Sequence, residues 1–172
     1  SERITAAGET VDKPDLKFSY VKGTITLQSM TALWRGTRVS GSGTIAGLDT
    51  GKGSFDLSGR IEEGPVSSMA GFVPALKDLG LQGRSSAGWS LKGPIKNPML
   101  ALEIRSPLVE APGQARLTEM KILTKLALPP GKDMPDMRLD MAAERLDLND
   151  FSLTGLRTAL TVSSGNLNIE NA

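Results

Sequence analysis

Cysteine and histidine are both absent from the 172-residue sequence. Without cysteine there is no disulfide and no thiolate metal site, although this alone does not fix the compartment. Without histidine the commonest general base and the commonest metal ligand are missing. A Ser-His-Asp triad is excluded outright. No uninterrupted apolar run approaches the ~18 to 20 residues that a membrane-spanning helix needs. An excess of one charge is lacking too. The 20 basic and 19 acidic residues are mixed along the chain and leave a net charge of +1. Nucleic acid is therefore not expected as a partner, because a phosphate-binding footprint needs clustered Lys and Arg. Aromatic residues are only 4% of the chain, so few bulky rings are available to build a core.

What is present is glycine (19) and proline (10), the residues of frequent turns. Between the turns, apolar residues alternate with polar ones. Ile25 and Leu27 alternate with Thr24, Thr26 and Gln28. Phe55, Leu57, Gly59 and Ile61 alternate with Asp56, Ser58 and Arg60. Leu100, Leu102 and Ile104 follow the same rule, as do Met120, Ile122, Thr124, Leu126 and Leu128. So do Met137, Leu139 and Met141, then Leu156, Thr158, Leu160 and Val162, then Leu167 and Ile169. Successive strand side chains point to opposite faces, so each run has one apolar and one polar face. Antiparallel sheets with one wet face carry this pattern. The gaps hold turn chemistry at 49–53, 111–113, 129–133, 149–150 and 163–166, and the runs recur every ten to fourteen residues, as in a meander.

One stretch departs from alternation. Met69, Phe72, Val73, Leu76 and Leu79 fall at helical spacing. The expectation is one short or kinked helix within 65–79, with Pro65 at its first position and Gly80 at its end. Pro74 removes a backbone donor inside it. The chain then reads as a single β-rich domain: a first strand group over 1–63, a helix and linker over 64–82, and a second strand group over 83–172. Three segments share one form, Pro followed by apolar residues two, four and six positions later: Pro14 with Leu16, Phe18 and Tyr20; Pro98 with Leu100, Leu102 and Ile104; Pro135 with Met137, Leu139 and Met141. Pro is expected to open each strand, where no ladder donor is needed. Stacked units of this kind predict an elongated, open-ended sheet.

Several short motifs resemble catalytic or ligand-binding signatures. Leu48-Asp49-Thr50-Gly51 matches an aspartic-protease signature, but that reaction needs two carboxylates sharing a proton and the tripeptide occurs once. Between two β runs it serves equally as a turn. Gly47 to Lys52 has the wrong spacing for a phosphate-binding loop, and Gly53 stands where Ser or Thr is required. Glu62, Glu63, Asp147, Asn149 and Asp150 lack an ordered Ca²⁺-ligand spacing. No catalytic residue, metal ligand or cofactor site is assigned from the sequence.

The stretch Gly88-Trp89-Ser90-Leu91-Lys92-Gly93-Pro94-Ile95-Lys96-Asn97-Pro98, continuing through Leu100, Leu102 and Ile104, resembles the recurring element of AsmA-like proteins, TamB among them. That element is a short strand, then Gly-x-[Ile/Leu]-x-x-Pro, then an alternating strand. Phe72 to Leu79 resembles the short Pro/Leu-rich helix that often precedes it, and the Pro135 segment a degenerate later copy. The match covers about 70 to 110. The resemblance implies an all-β fold, an elongated and strongly curved antiparallel sheet shaped as a trough, with an apolar lining and one short helix. It implies a periplasmic segment of an inner-membrane-anchored protein of a Gram-negative bacterium, with the anchor outside this part of the chain. It implies a non-catalytic role in sheltering phospholipid acyl chains between the two membranes. The expected lining is Ile25, Leu27, Phe55, Leu57, Ile61, Trp89, Leu91, Leu100, Leu102, Ile104, Met120, Ile122, Leu126, Met137, Leu139, Met141, Leu160 and Val162. Alternation alone equally describes the closed core of an ordinary β domain. The alternative function is an interaction module for outer-membrane protein assembly that accepts partner strands by β-augmentation.

Overall fold

A computed structural model describes residues 3–6, 9–70, 80–128, 137–163 and 166–170. Eleven strands follow one another: β1 (Arg3–Ala6), β2 (Glu9–Val21), β3 (Thr24–Trp34), β4 (Thr37–Ala46), β5 (Ser54–Pro65), β6 (Gln82–Pro94), β7 (Met99–Ala111), β8 (Ala115–Ala127), β9 (Met137–Leu148), β10 (Phe151–Ser163) and β11 (Asn166–Glu170). A single helical turn, α1 (Val66–Ala70), lies between β5 and β6. The strands form one antiparallel sheet in sequence order from β1 to β11, and the two edge strands do not pair, so the sheet is open. The fold is all-β, as the alternation predicts.

Short connections explain the meander. Lys22-Gly23 and Arg35-Gly36 both have positive φ at the two central positions. That is the type I′ geometry, whose twist matches the flanking strands. Neither pair was picked out among the turn signals above. Between β7 and β8, Pro112 presets φ, Gly113 takes φ 69°, and the Gln114 N–H donates to the Ala111 carbonyl at 3.0 Å.

The structure corrects several expectations. Pro65 is not the first helical residue. It ends β5, paired with Arg84, and the helix starts at Val66. The span expected as helix and linker gives residues 64–65 to β5 and residue 82 to β6, and because β5 pairs with β6 the two strand groups are one sheet. Phe72, Val73, Pro74, Leu76 and Leu79 lie outside the described residues, as do Pro129 to Asp136. Pro98 precedes β7 as expected, but Pro14 is inside β2. It sits where the β2–β3 register shifts between Asp12 and Asp15, beside Lys13 at φ 51°. A bulge leaves one residue out of the ladder, so a residue without an N–H fits there as well as at a strand start.

Register fixes which residues share a face. One row across the sheet reads Leu27, Gly43, Leu57, Leu91, Leu100 and Leu126. The next reads Met30, Gly41, Gly59, Trp89, Leu102, Thr124 and Leu139. A third reads Ala32, Val39, Ile61, Ala87, Ile104, Ile122 and Met141. The opposite face carries ion pairs: Lys92 with Asp56 at 3.0 Å, Arg105 with Glu103 at 2.5 Å, Lys121 with Glu103 at 3.2 Å, and Arg138 with Asp140 at 3.3 Å. The sheet is thus apolar on one side and ionic on the other. Apart from α1 against β5 and β6, each described element makes close backbone contact chiefly with its neighbours in the sheet, and α1 is the only described element outside the sheet.

Candidate functional site: the apolar face and its two rims

Fifteen of the eighteen positions expected to line a groove fall on this one face, and the other three, Met137, Leu160 and Val162, are placed by backbone pairing alone. Ile25 and Phe55 both pair with Ile45 and form an additional row near one end of the strands. Met120 pairs with Ser106 towards the other end. Met137 and Val162 pair with each other, and Leu160 pairs with Leu139, so these ladder positions also belong to the face. The structure adds residues that alternation had not been used to select. Leu16, Phe18 and Tyr20 on β2 pair with Met30, Leu27 and Ile25, which extends the rows by a strand. They are the most open part of the face, with Phe18 64% and Tyr20 60% exposed. Their signal was legible in the Pro14 segment, whose apolar positions are the same residues.

Burial is uneven along the face. Trp34, Ala87, Met120, Leu126 and Leu139 are buried, whereas Leu16, Phe18 and Tyr20 are exposed. Trp89 covers two glycines in its row. A Cβ on Gly41 would come within 2.6 Å of its ring, and one on Gly59 within 2.7 Å. The missing side chains make the slot that the indole fills. Its Nε1 is shielded from solvent and has no hydrogen-bond partner.

One end of the face is closed by α1. Val66 packs with Val109 and Met120, and Leu81, Leu117, Ile122 and Met141 pack around them. Arg35 secures the helix: its guanidinium lies 5.0 Å from the Trp34 ring centroid and donates to the Ser68 carbonyl at 3.2 Å. Two ion pairs stand along this second rim. Arg116 meets Glu110 at 3.4 Å, and Arg145 meets Asp147 at 2.7 Å. Hydrogen bonds from Ser152, then from Arg145, hold the Asp147 carboxyl below the ordinary aspartate range.

The first rim, at the opposite strand ends, is built by the turns at 22–23, 47–53 and 95–98. Backbone hydrogen bonds join them laterally: Leu48 N–H to Gly23 O at 3.0 Å, Ile95 N–H to Gly53 O at 2.8 Å, and Leu128 N–H to Pro98 O at 2.8 Å. Ile95, the apolar residue of the Gly-x-Ile-x-x-Pro motif, occupies the space a side chain on Gly53 would need. Asp49 of the protease-like tripeptide sits in this rim, with its carboxylate against Gly23.

Neither a family model, a curated protein nor a solved structure matches the chain. The resemblance to AsmA-like proteins therefore rests on the motif around Gly93 to Pro98 and its flanking strands. Among the described residues no three Asp or Glu side chains converge as a metal group, and no helix is long and apolar enough to cross a membrane. The concavities of the ionic face are shallow and lined by charged side chains such as Arg60, Glu63, Glu103 and Arg105. Among the described residues, the feature that stands out is the apolar face of the sheet, continuous in register, with α1 packed at one rim.

Proposed function

We propose that this chain shelters phospholipid acyl chains on its apolar face, without catalysis, as a periplasmic segment of an inner-membrane-anchored envelope protein of the AsmA-like kind. The observation that carries the reading is the apolar face itself: aliphatic rows run across the sheet in register, and α1 is the only described element outside the sheet. A soluble domain rarely leaves a contiguous apolar patch of this extent uncovered unless something binds there. A trough-shaped sheet fits the same facts. The open edges, the register shifts in β2–β3, β3–β4, β5–β6 and β6–β7, and the burial of Leu126 and Leu139 all favour a concave lining.

The energetics need no specific pocket. An acyl chain gains ~0.8 kcal/mol per methylene withdrawn from water, so a long chain gains about 10 kcal/mol at most. A bilayer offers a similar gain. A conduit between membranes then needs only a continuous dry surface roughly as good as lipid, so that chains enter and leave. Leu, Ile, Val and the adaptable Met supply that surface.

Native mass spectrometry of the protein, expressed in a bacterial periplasm and purified without detergent, tests this. Co-purified phospholipid that disappears in Leu102→Asp or Ile122→Glu at unchanged β-content is the expected result. A lipid-free monomer that also refuses added phospholipid would overturn it.

A second reading is favoured by the outer edge of β2. Strand β1 pairs only with residues 9–12, so between Lys13 and Val21 the backbone groups of β2 that point away from β3 have no ladder partner among the described strands. A strand from an outer-membrane protein in assembly would add there by β-augmentation. Phe18→Pro would abolish that addition and only weaken acyl-chain binding, since it removes one side chain at the edge of the apolar face, whereas Leu102→Asp would abolish acyl-chain binding and leave strand addition.

A further inference from the structure

We infer that the first rim is a headgroup-binding lip, in which Lys22, Lys52 and Lys96 form a row of cations that meets lipid phosphates, one or two lysines to each, while the acyl chain lies on the apolar face; this rests on the acyl-chain reading above. The three lysines are exposed and form no ion pair among the described residues, in contrast to Lys92 and Lys121 on the ionic face and to Arg116 and Arg145 at the second rim. Within the three turns and their flanks, at 21–24, 47–53 and 94–99, the one carboxylate facing them is Asp49. The lysines sit on alternate connections along one side of the sheet. With strands about 4.8 Å apart, successive tips lie about 10 Å apart.

Position along the strands matches an amphiphile. Lys22 and Lys52 each precede by three residues a member of the apolar row Ile25, Ile45 and Phe55. At about 3.3 Å per residue, a phosphate at the lysines leaves the first methylenes over that row. Exposed Leu48 and Ile95 stand between the lysines and give the glycerol region an apolar footing. The lateral backbone hydrogen bonds through Gly23 and Gly53 fix the tips to one another, so the cations are presented by a braced rim and not by independent loops. Soluble phosphate offers the same charge but has no use for the neighbouring apolar row.

Lauroyl lysophosphatidylglycerol and monolauroylglycerol share an acyl chain and differ in the phosphate. Their affinities, read from the fluorescence of the two tryptophans at low salt, separate the lip from the groove. The phosphate lipid is expected to bind on the order of tenfold more tightly, the contribution of one to two lysines at an anionic group. Lys22→Gln/Lys52→Gln/Lys96→Gln should bring the two affinities within about twofold while leaving monolauroylglycerol binding unchanged. Lys92→Gln, on the ionic face, should keep the preference. A wild type without preference, or a triple variant that retains it, would overturn the lip. So would a triple variant that also loses monolauroylglycerol, because the lysines would then act through the fold. Rim amide shifts with millimolar inorganic phosphate alone would assign the lysines to free phosphate instead. If the wild type binds neither lipid, the groove reading fails and the lip falls with it; if it binds both equally, only the lip does.

Discussion

Trp89, Gly41 and Gly59 depend on one another. The indole lies where two adjacent strands lack side chains, and glycine, costly to a strand by itself, is repaid by ring contact. Gly59→Ala places a methyl against the indole and the Ser40 carbonyl and is expected to cost about 1 to 3 kcal/mol in chemical denaturation. Trp89→Ala, which empties the slot, should cost about 3 kcal/mol. Trp89→Phe should cost less than about 1.5 kcal/mol, because it also removes the shielded N–H that has no partner. Alternation could place Trp89 on the apolar face, but only the register across β4, β5 and β6 could place it over two glycines. On the ionic face, Glu103 is held below the ordinary glutamate range, first by its hydrogen bond from Arg105 and then by that from Lys121. A depressed carboxylate contributes stability above its unfolded-state value, about 4.3, and loses it as pH falls through the lower folded-state value. Glu103→Gln should therefore lower the melting temperature slightly at neutral pH, with the difference vanishing at strongly acid pH in thermal scans. Because the group is open to solvent, the effect is small.

At the scale of elements, the strands were legible and the joints only in part. The period-2 runs fall within β3, β5, β7, β8, β9, β10 and β11 because a half-buried sheet imposes that period on any sequence it accepts. The bulge at Lys13 and Pro14 was not legible, since a proline after a charged residue reads equally well as a strand opening. The helix was legible as a break in period, but its start was displaced by one residue because Pro65 remains in the β5–β6 ladder. Val66 is the one buried helix side chain that the described contacts place on the sheet. Val66→Ala should destabilise by about 1.5 kcal/mol, at ~0.8 kcal/mol per lost carbon. Hydrogen exchange should show the amides of 66–70 opening faster than those of β7 and β8. Arg35→Ala removes the stacking on Trp34 and the bond to Ser68 and should open the same segment while costing about 1 kcal/mol.

At the scale of the molecule, the acyl-chain reading has an apolar ligand supply what other folds gain from a second layer. If acyl chains fill that side, lysophospholipid at about a hundred times its dissociation constant should add about 2.7 kcal/mol to the unfolding free energy. A rise in melting temperature with lipid concentration, absent in Leu102→Asp, is the expected outcome. Composition, alternation and turn chemistry by themselves determined an all-β antiparallel meander with one short helical break, since each is a local property that the chain carries along its length. They also identified the residues of one face, because strand period decides facing wherever no bulge intervenes. Only the tertiary structure decided that these faces join into continuous rows, that β2 extends them, that Trp89 rests on glycines of two other strands, and that α1 plugs one rim while lysines stand along the other. Those facts depend on register between strands and on what packs against what, and neither is written in the spacing of residues along one strand.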